Sequence, residues 1–219
     1  MQAYLNDPQL KRRLIAEIRK HEKADQIVSG TYGELRDRKW VGCAIGCALH
    51  SLNKIEKVAD PRLHTGEHAR FPTELGIPIE LAYHIDHVFE NLPAAERKTW
   101  PRLVATAITP GADLSGVIPA LLQWMILDKA AGLLSLVAAE DERATFREFA
   151  ALVARDWAGD TITDQQWNEI DARLNKIPVW AWARAGAGAW ARAWARAGAG
   201  AWARAWARAG AGEIGRAHV

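Results

Sequence analysis

PIELAYHIDHVFENLP, residues 78–93, decides how the rest of the chain is read. Ile79, Ala82, Ile85 and Phe89 recur at three- and four-residue spacing, which is one face of a helix. Tyr83, Asp86, His87 and Glu90 share a second face. Pro78 opens the helix, and it closes before Pro93, because proline fits the first turn and breaks the interior.

Working outward to the N-terminus, Asp7-Pro8 is a cap followed by proline at the first helical position. LKRRLIAEIRKHEK follows with Leu10, Leu14, Ile15 and Ile18 in helical register, so a helix is expected to end near Ala24. Residues 26–42, QIVSGTYGELRDRKWVG, mix β-formers with Gly and charge and read as a loop or a short hairpin. Gly42 leads into a helix expected over 43–58, and 60–76 reads as a long connection.

Toward the C-terminus, Pro93 begins another helix, interrupted or restarted at Pro101. The apolar run LSGVIPALLQWMILDKAAGLLSLVAA, residues 114–139, is broken by Gly116, Pro119, Asp128 and Lys129, which points to two buried helices rather than a membrane span. Helices over 140–157 and 163–175 complete the set, the last capped by Thr163 with Gln166 at its third position. The expectation is an all-α fold: one globular bundle of seven or eight helices over residues 1–178, with no βαβ alternation.

Composition bounds the class. The chain has 219 residues, 49% hydrophobic and 25% charged, with two cysteines, which excludes wholesale disorder and a disulfide-framework mini-protein. MQAYLNDPQLKRRL has no apolar stretch before its charges, so no secretory signal is expected and a reduced, cytoplasmic setting is the default. Charge shifts abruptly at Pro178. Residues 1–178 carry 22 Lys+Arg and 25 Asp+Glu, whereas 179–219 carry six Arg and one Glu. Nothing in the acidic front part calls for nucleic acid.

From 181 to 211 every odd position is Ala and every even one is Trp, Arg or Gly. GCN followed by NGG writes this stretch, so slippage of a GC-rich repeat explains it. Residues 179–212 are therefore expected to form a low-complexity tail, with helical segments broken at the Gly pairs. The alternative is a Trp/Arg arm that stacks on bases, grips phosphates or lies at a lipid interface. Residues 213–219, EIGRAHV, reverse-translate to the start of a common sequencing adapter and are expected to be foreign to the protein.

The strongest chemical signal is GCAIGCALH, residues 42–50, which puts Cys43, Cys47 and His50 on one helix face. A thiol in a helix's first turn feels the positive end of the dipole, so Cys43 is expected to have a lowered pKa. The competing view makes both cysteines small core residues. Asp86, His87 and Glu90 form a polar stripe able to orient a base, or else the solvated side of an amphipathic helix. A relay would draw on Cys43, on His68 or His87, and on Asp86 or Glu90. Metal ligation would instead use Cys43, Cys47, His50 and a loop histidine such as His64 or His68. No cofactor is expected.

The motif order GTYG, GCAIGCALHSL, EHARFPTELGIP, LAYHIDHVFENLP and Trp100-Pro101, with an Ala-rich C-terminal repeat, resembles an uncharacterised family of phage and bacterial proteins. The resemblance covers most of residues 28–128 and implies no particular activity. Three functions stay open: a helical accessory or binding protein of a phage or prophage acting through an unknown protein partner; a thiol-dependent hydrolase or acyl-transfer enzyme built on Cys43; and nucleic-acid binding through the tail. The first is favoured.

Overall fold

Helix-forming periodicity becomes helix nearly wherever the chain has it. A computed structural model describes residues 1–60, 68–130 and 132–178, and the tail and the terminal seven residues lie outside them. Among the described residues the fold is all-α apart from one two-stranded hairpin. The sequence suggested one continuous domain over 1–178; the described residues fall into two compact units, Met1–Ser115 and one that begins at Gly116.

In the first unit, α1 (Pro8–Lys23) starts where expected, with the Asp7 carboxylate accepting the Gln9 N–H at 2.7 Å. Its buried positions are Leu14, Ile18 and His21. The hairpin pairs β1 (Glu34–Arg36) with β2 (Lys39–Val41) through a turn in which Asp37 and Arg38 both have positive φ, the geometry that suits two-residue hairpin loops. α2 (Ala44–Ile55) is the centre of the unit: Ala44 to Asn53 are all buried, and the helix packs on α1, α3 (Ile79–Asn91) and α5 (Trp100–Ala107). The short α4 (Ala94–Arg97) leads into α5, so the break before Pro101 is real.

Residues 26–32 run beside the entrance to α2. Val28 N–H donates to Gly42 O, Gly42 N–H to Gln26 O, and Cys43 N–H to Thr31 O at 2.7 Å. That approach requires glycine at position 46, where a Cβ atom would stand 1.5 Å from the Tyr32 carbonyl oxygen.

The second unit contains α6 (Val117–Leu127), α7 (Glu140–Trp157) and α8 (Asp164–Leu174), with α7 packed on both others. Thr163 and Gln166 form the expected capping box. The expected second helix in the 114–139 run is instead a 3-10 turn at Leu133–Leu136. Asp128 ends α6 in extended backbone and ties down the Ala130 N–H with its side chain. Gly132 and Val137, both extended, leave room for only four residues between them. Among the described residues no helix is long and apolar enough to cross a membrane.

Candidate functional site

Cys43 is the N-cap of α2, and its Sγ accepts the Gly46 N–H at 3.5 Å, the position that Ser or Asp usually fills. The residue is fully buried. Facing it is α3, from which Asp86 and Glu90 project one turn apart. One donor atom from each of Cys43, Asp86 and Glu90 lies within 4.8 Å of the other two. Both carboxylate oxygens of Glu90 accept the Gly30 N–H, at 3.1 and 3.3 Å.

His68 completes the cluster. Its Nε2 lies 3.2 Å from Asp86 Oδ2, and both residues are buried. The imidazole stacks on Tyr83 at 4.0 Å between ring centres and meets the edge of Tyr32 at 5.7 Å. Asp86 Oδ1, on a residue only 1% exposed, has no hydrogen-bond partner among the described residues. The polar stripe of α3 is therefore not simply a solvated face: the chain segment carrying His68 and the entrance of α2 cover Asp86.

The electrostatics reverse one expectation. Burial pushes the Cys43 thiol well above the usual cysteine range, and the Asp86 charge pushes the same way. The Gly46 N–H opposes this shift but is outweighed. The helix entrance is thus where the sequence placed it, yet the thiol is suppressed rather than activated. Burial also raises the phenols of Tyr32 and Tyr83, with Asp86 adding to both and Cys43 and Glu90 adding to Tyr32.

Of the residues selected from sequence for a relay, Cys43, His68, Asp86 and Glu90 converge. His87 belongs to a neighbouring flank of α3, where the Asn91 amide lies 3.5 Å from its Nε2. Among the described residues the selected metal set does not come together. Cys47 Sγ donates to Gly42 O at 3.4 Å, and His50 Nδ1 lies 3.2 Å from His21 Nε2 with its ring stacked on Trp40. His64 lies outside the described residues. Sequence reasoning gave no role to Gly30 and Tyr32, which lie in the GTYG motif of an otherwise aperiodic stretch.

Comparison with known proteins supplies no further assignment: no family profile, curated protein or solved structure matches the chain. Three acidic side chains converge on one small volume, with one imidazole behind them. The order of groups runs thiol, carboxylate, imidazole. A nucleophilic relay needs the imidazole against the thiol and the carboxylate behind it.

Proposed function

We propose that this chain is a helical binding protein whose binding centre is the Cys43–His68–Asp86–Glu90 cluster, and that the centre takes a positively charged ligand. The observation that carries this reading is the buried Asp86 carboxylate. One oxygen is held by His68, the other has no partner among the described residues, and a thiol and a second carboxylate stand beside it. Buried polar groups are nearly always satisfied, and an orphaned one costs about 1–3 kcal/mol. A cation supplies what the three acids lack.

The thiol-enzyme reading is the weaker one, because Cys43 is buried, its thiol is held protonated, and His68 faces Asp86 instead of sulfur. Partner contacts and nucleic-acid binding through the tail rest on residues 179–212, and the phage association rests on motif order alone.

Two measurements on the full chain test the reading. After chelator treatment, iodoacetamide at neutral pH is expected to leave Cys43 unmodified until urea unfolds the protein. Selective native labelling of Cys43 would return the assignment to a thiol enzyme. The thermal midpoint is also expected to rise with some member of a panel of ammonium, polyamine, alkaline-earth and transition-metal cations. Saturation at a hundred times Kd stabilises by about 2.7 kcal/mol. A midpoint unmoved by every cation overturns the proposal.

A further inference from the structure

We propose that Cys43 Sγ and carboxylate oxygens of Asp86 and Glu90 ligate a single divalent transition-metal ion, with His68 as the residue that positions Asp86. This rests on the reading of the cluster as a cation-binding centre, and it names the cation.

Geometry comes first. An ion centred among three atoms that lie within 4.8 Å of one another is at most about 2.8 Å from each. Zinc bonds are roughly 2.0–2.2 Å to oxygen and 2.3 Å to sulfur, so each ligand needs to close in by no more than about 0.8 Å. Side-chain rotation supplies that without moving a helix. The two ligating elements are already fixed: the Cys43 N–H is bonded to Thr31 O, and Glu90 is bonded to the Gly30 amide. A centre whose ligand-bearing residues are hydrogen-bonded in this way is pre-organised for its ligand.

The second observation is independent of the spacing. Asp86 is buried, with His68 on Oδ2 and no partner for Oδ1 among the described residues. Carboxylates that bind metals are typically steadied by a hydrogen bond to the non-ligating oxygen, and His68 stands in that place.

The donor set selects the class of ion. Magnesium and calcium prefer all-oxygen shells, whereas one thiolate with two carboxylates suits zinc and its neighbours in the first transition row. Three protein ligands leave a fourth tetrahedral position for water, as in zinc sites of the open type. Proton balance fixes the pH dependence. Binding replaces the S–H bond of Cys43 with an S–metal bond and releases that proton to solvent. Affinity therefore rises about ten-fold per pH unit below the thiol pKa.

Cobalt(II) provides the test, because thiolate ligation gives it a near-ultraviolet charge-transfer band. Chelator-treated full chain is expected to bind one equivalent with that band, and zinc is expected to displace it. Cys43→Ser is expected to remove the band and Cys47→Ala to retain it. Asp86→Asn and Glu90→Gln are expected to weaken binding at least ten-fold. His68→Gln is expected to weaken binding by about 10–100-fold yet keep the band at saturating cobalt, which a general loss of structure would not do. Should Cys43→Ser not fold, the wild-type pH series from 6 to 8 stands in its place.

Absence of stoichiometric cobalt binding, a band that survives Cys43→Ser, or an affinity indifferent to pH overturns the inference. The two readings fail separately. If ammonium or a polyamine stabilises the chain and cobalt does not bind, the cationic centre stands and the metal falls. If native Cys43 alkylates rapidly in chelator, the binding-centre reading itself falls.

Discussion

Gly46→Ala is the substitution with the largest consequence for its size. The added methyl carbon would sit 1.5 Å from the Tyr32 carbonyl oxygen and 2.5 Å from its carbonyl carbon. Relief to ordinary contact requires the Tyr32 backbone to retreat by nearly two ångströms, since no flexible side-chain end is available to yield. That retreat disturbs the Cys43 N–H bond to Thr31 O and draws the Gly30 amide away from Glu90. Over-packing of a buried site costs about 1–3 kcal/mol, and each disrupted hydrogen bond about 1 kcal/mol more. Replacing Gly by Ala inside a helix returns up to about 1 kcal/mol. The net expectation is a loss of about 2–4 kcal/mol. With urea m-values of about 1–3 kcal/mol/M, the unfolding midpoint is expected to fall by roughly 0.7–4 M. Gly116→Ala is the control, because no atom lies within 4 Å of the Cβ it would carry. A Gly46→Ala midpoint within experimental error of wild type would refute the close passage of residues 26–32 over α2.

Two further perturbations probe other parts of the chain. Burial pushes the His84 imidazole down to about 4, with His87 adding to the effect, and burial also lowers His21. Unfolded histidines take up protons first, near 6.5, so the stabilisation is complete above that pH. It is lost as pH falls from 6.5 toward 4, by at most about 1.4 kcal/mol per pH unit for each group. Urea midpoints measured from pH 7 to 4.5 should decline, with a shallower slope in His84→Gln; a flat profile contradicts the burial. In the second unit, Thr163→Ala removes the hydroxyl that accepts the Gln166 N–H and is expected to cost about 1 kcal/mol. Amide exchange should quicken in the first turn of α8 and remain unchanged in α2, whereas a uniform rise would count against a local cap.

The helices that the sequence made legible are those in which period and punctuation agree. Asp7-Pro8, Pro78 and the Thr163–Gln166 box mark entrances, and the apolar stripes behind them supply the faces that pack. The 114–139 run misled because it is apolar nearly throughout, so no periodic contrast shows where helix gives way to the turn at Leu133–Leu136. The hairpin was one of the two readings of residues 26–42, but its turn was not located, because Asp37 and Arg38 adopt positive φ without a glycine to announce it. At the candidate site the residue types were legible, but their surroundings were not. Asp86 belongs to a polar stripe that reads as solvated, and only tertiary structure lays His68 over it. The His21–His50 contact joins two helices 29 positions apart through a pairing that no local pattern encodes.

Cys43 shows how a correct local reading yields the wrong chemistry when a stronger influence arrives from distant parts of the chain. A helix N-terminus contributes roughly 0.3–1 kcal/mol, less than one pKa unit of thiol activation. Complete burial shifts an ionisable group by as much as about 3–5 units, and Asp86 beside the sulfur reinforces the shift. The two effects oppose each other, and burial wins by a wide margin. The same balance favours a cation. With Cys43 and Asp86 buried, an uncompensated thiolate and two carboxylates would repel strongly, and that repulsion would become attraction if a divalent ion stood among them. Low dielectric therefore silences Cys43 toward electrophiles, and a metal ion at the proposed centre would have to displace the same firmly held proton. Replacing Asp86 by Asn should separate these consequences: the thiol becomes easier to ionise as a negative neighbour is lost, while the ion loses a ligand and is bound more weakly.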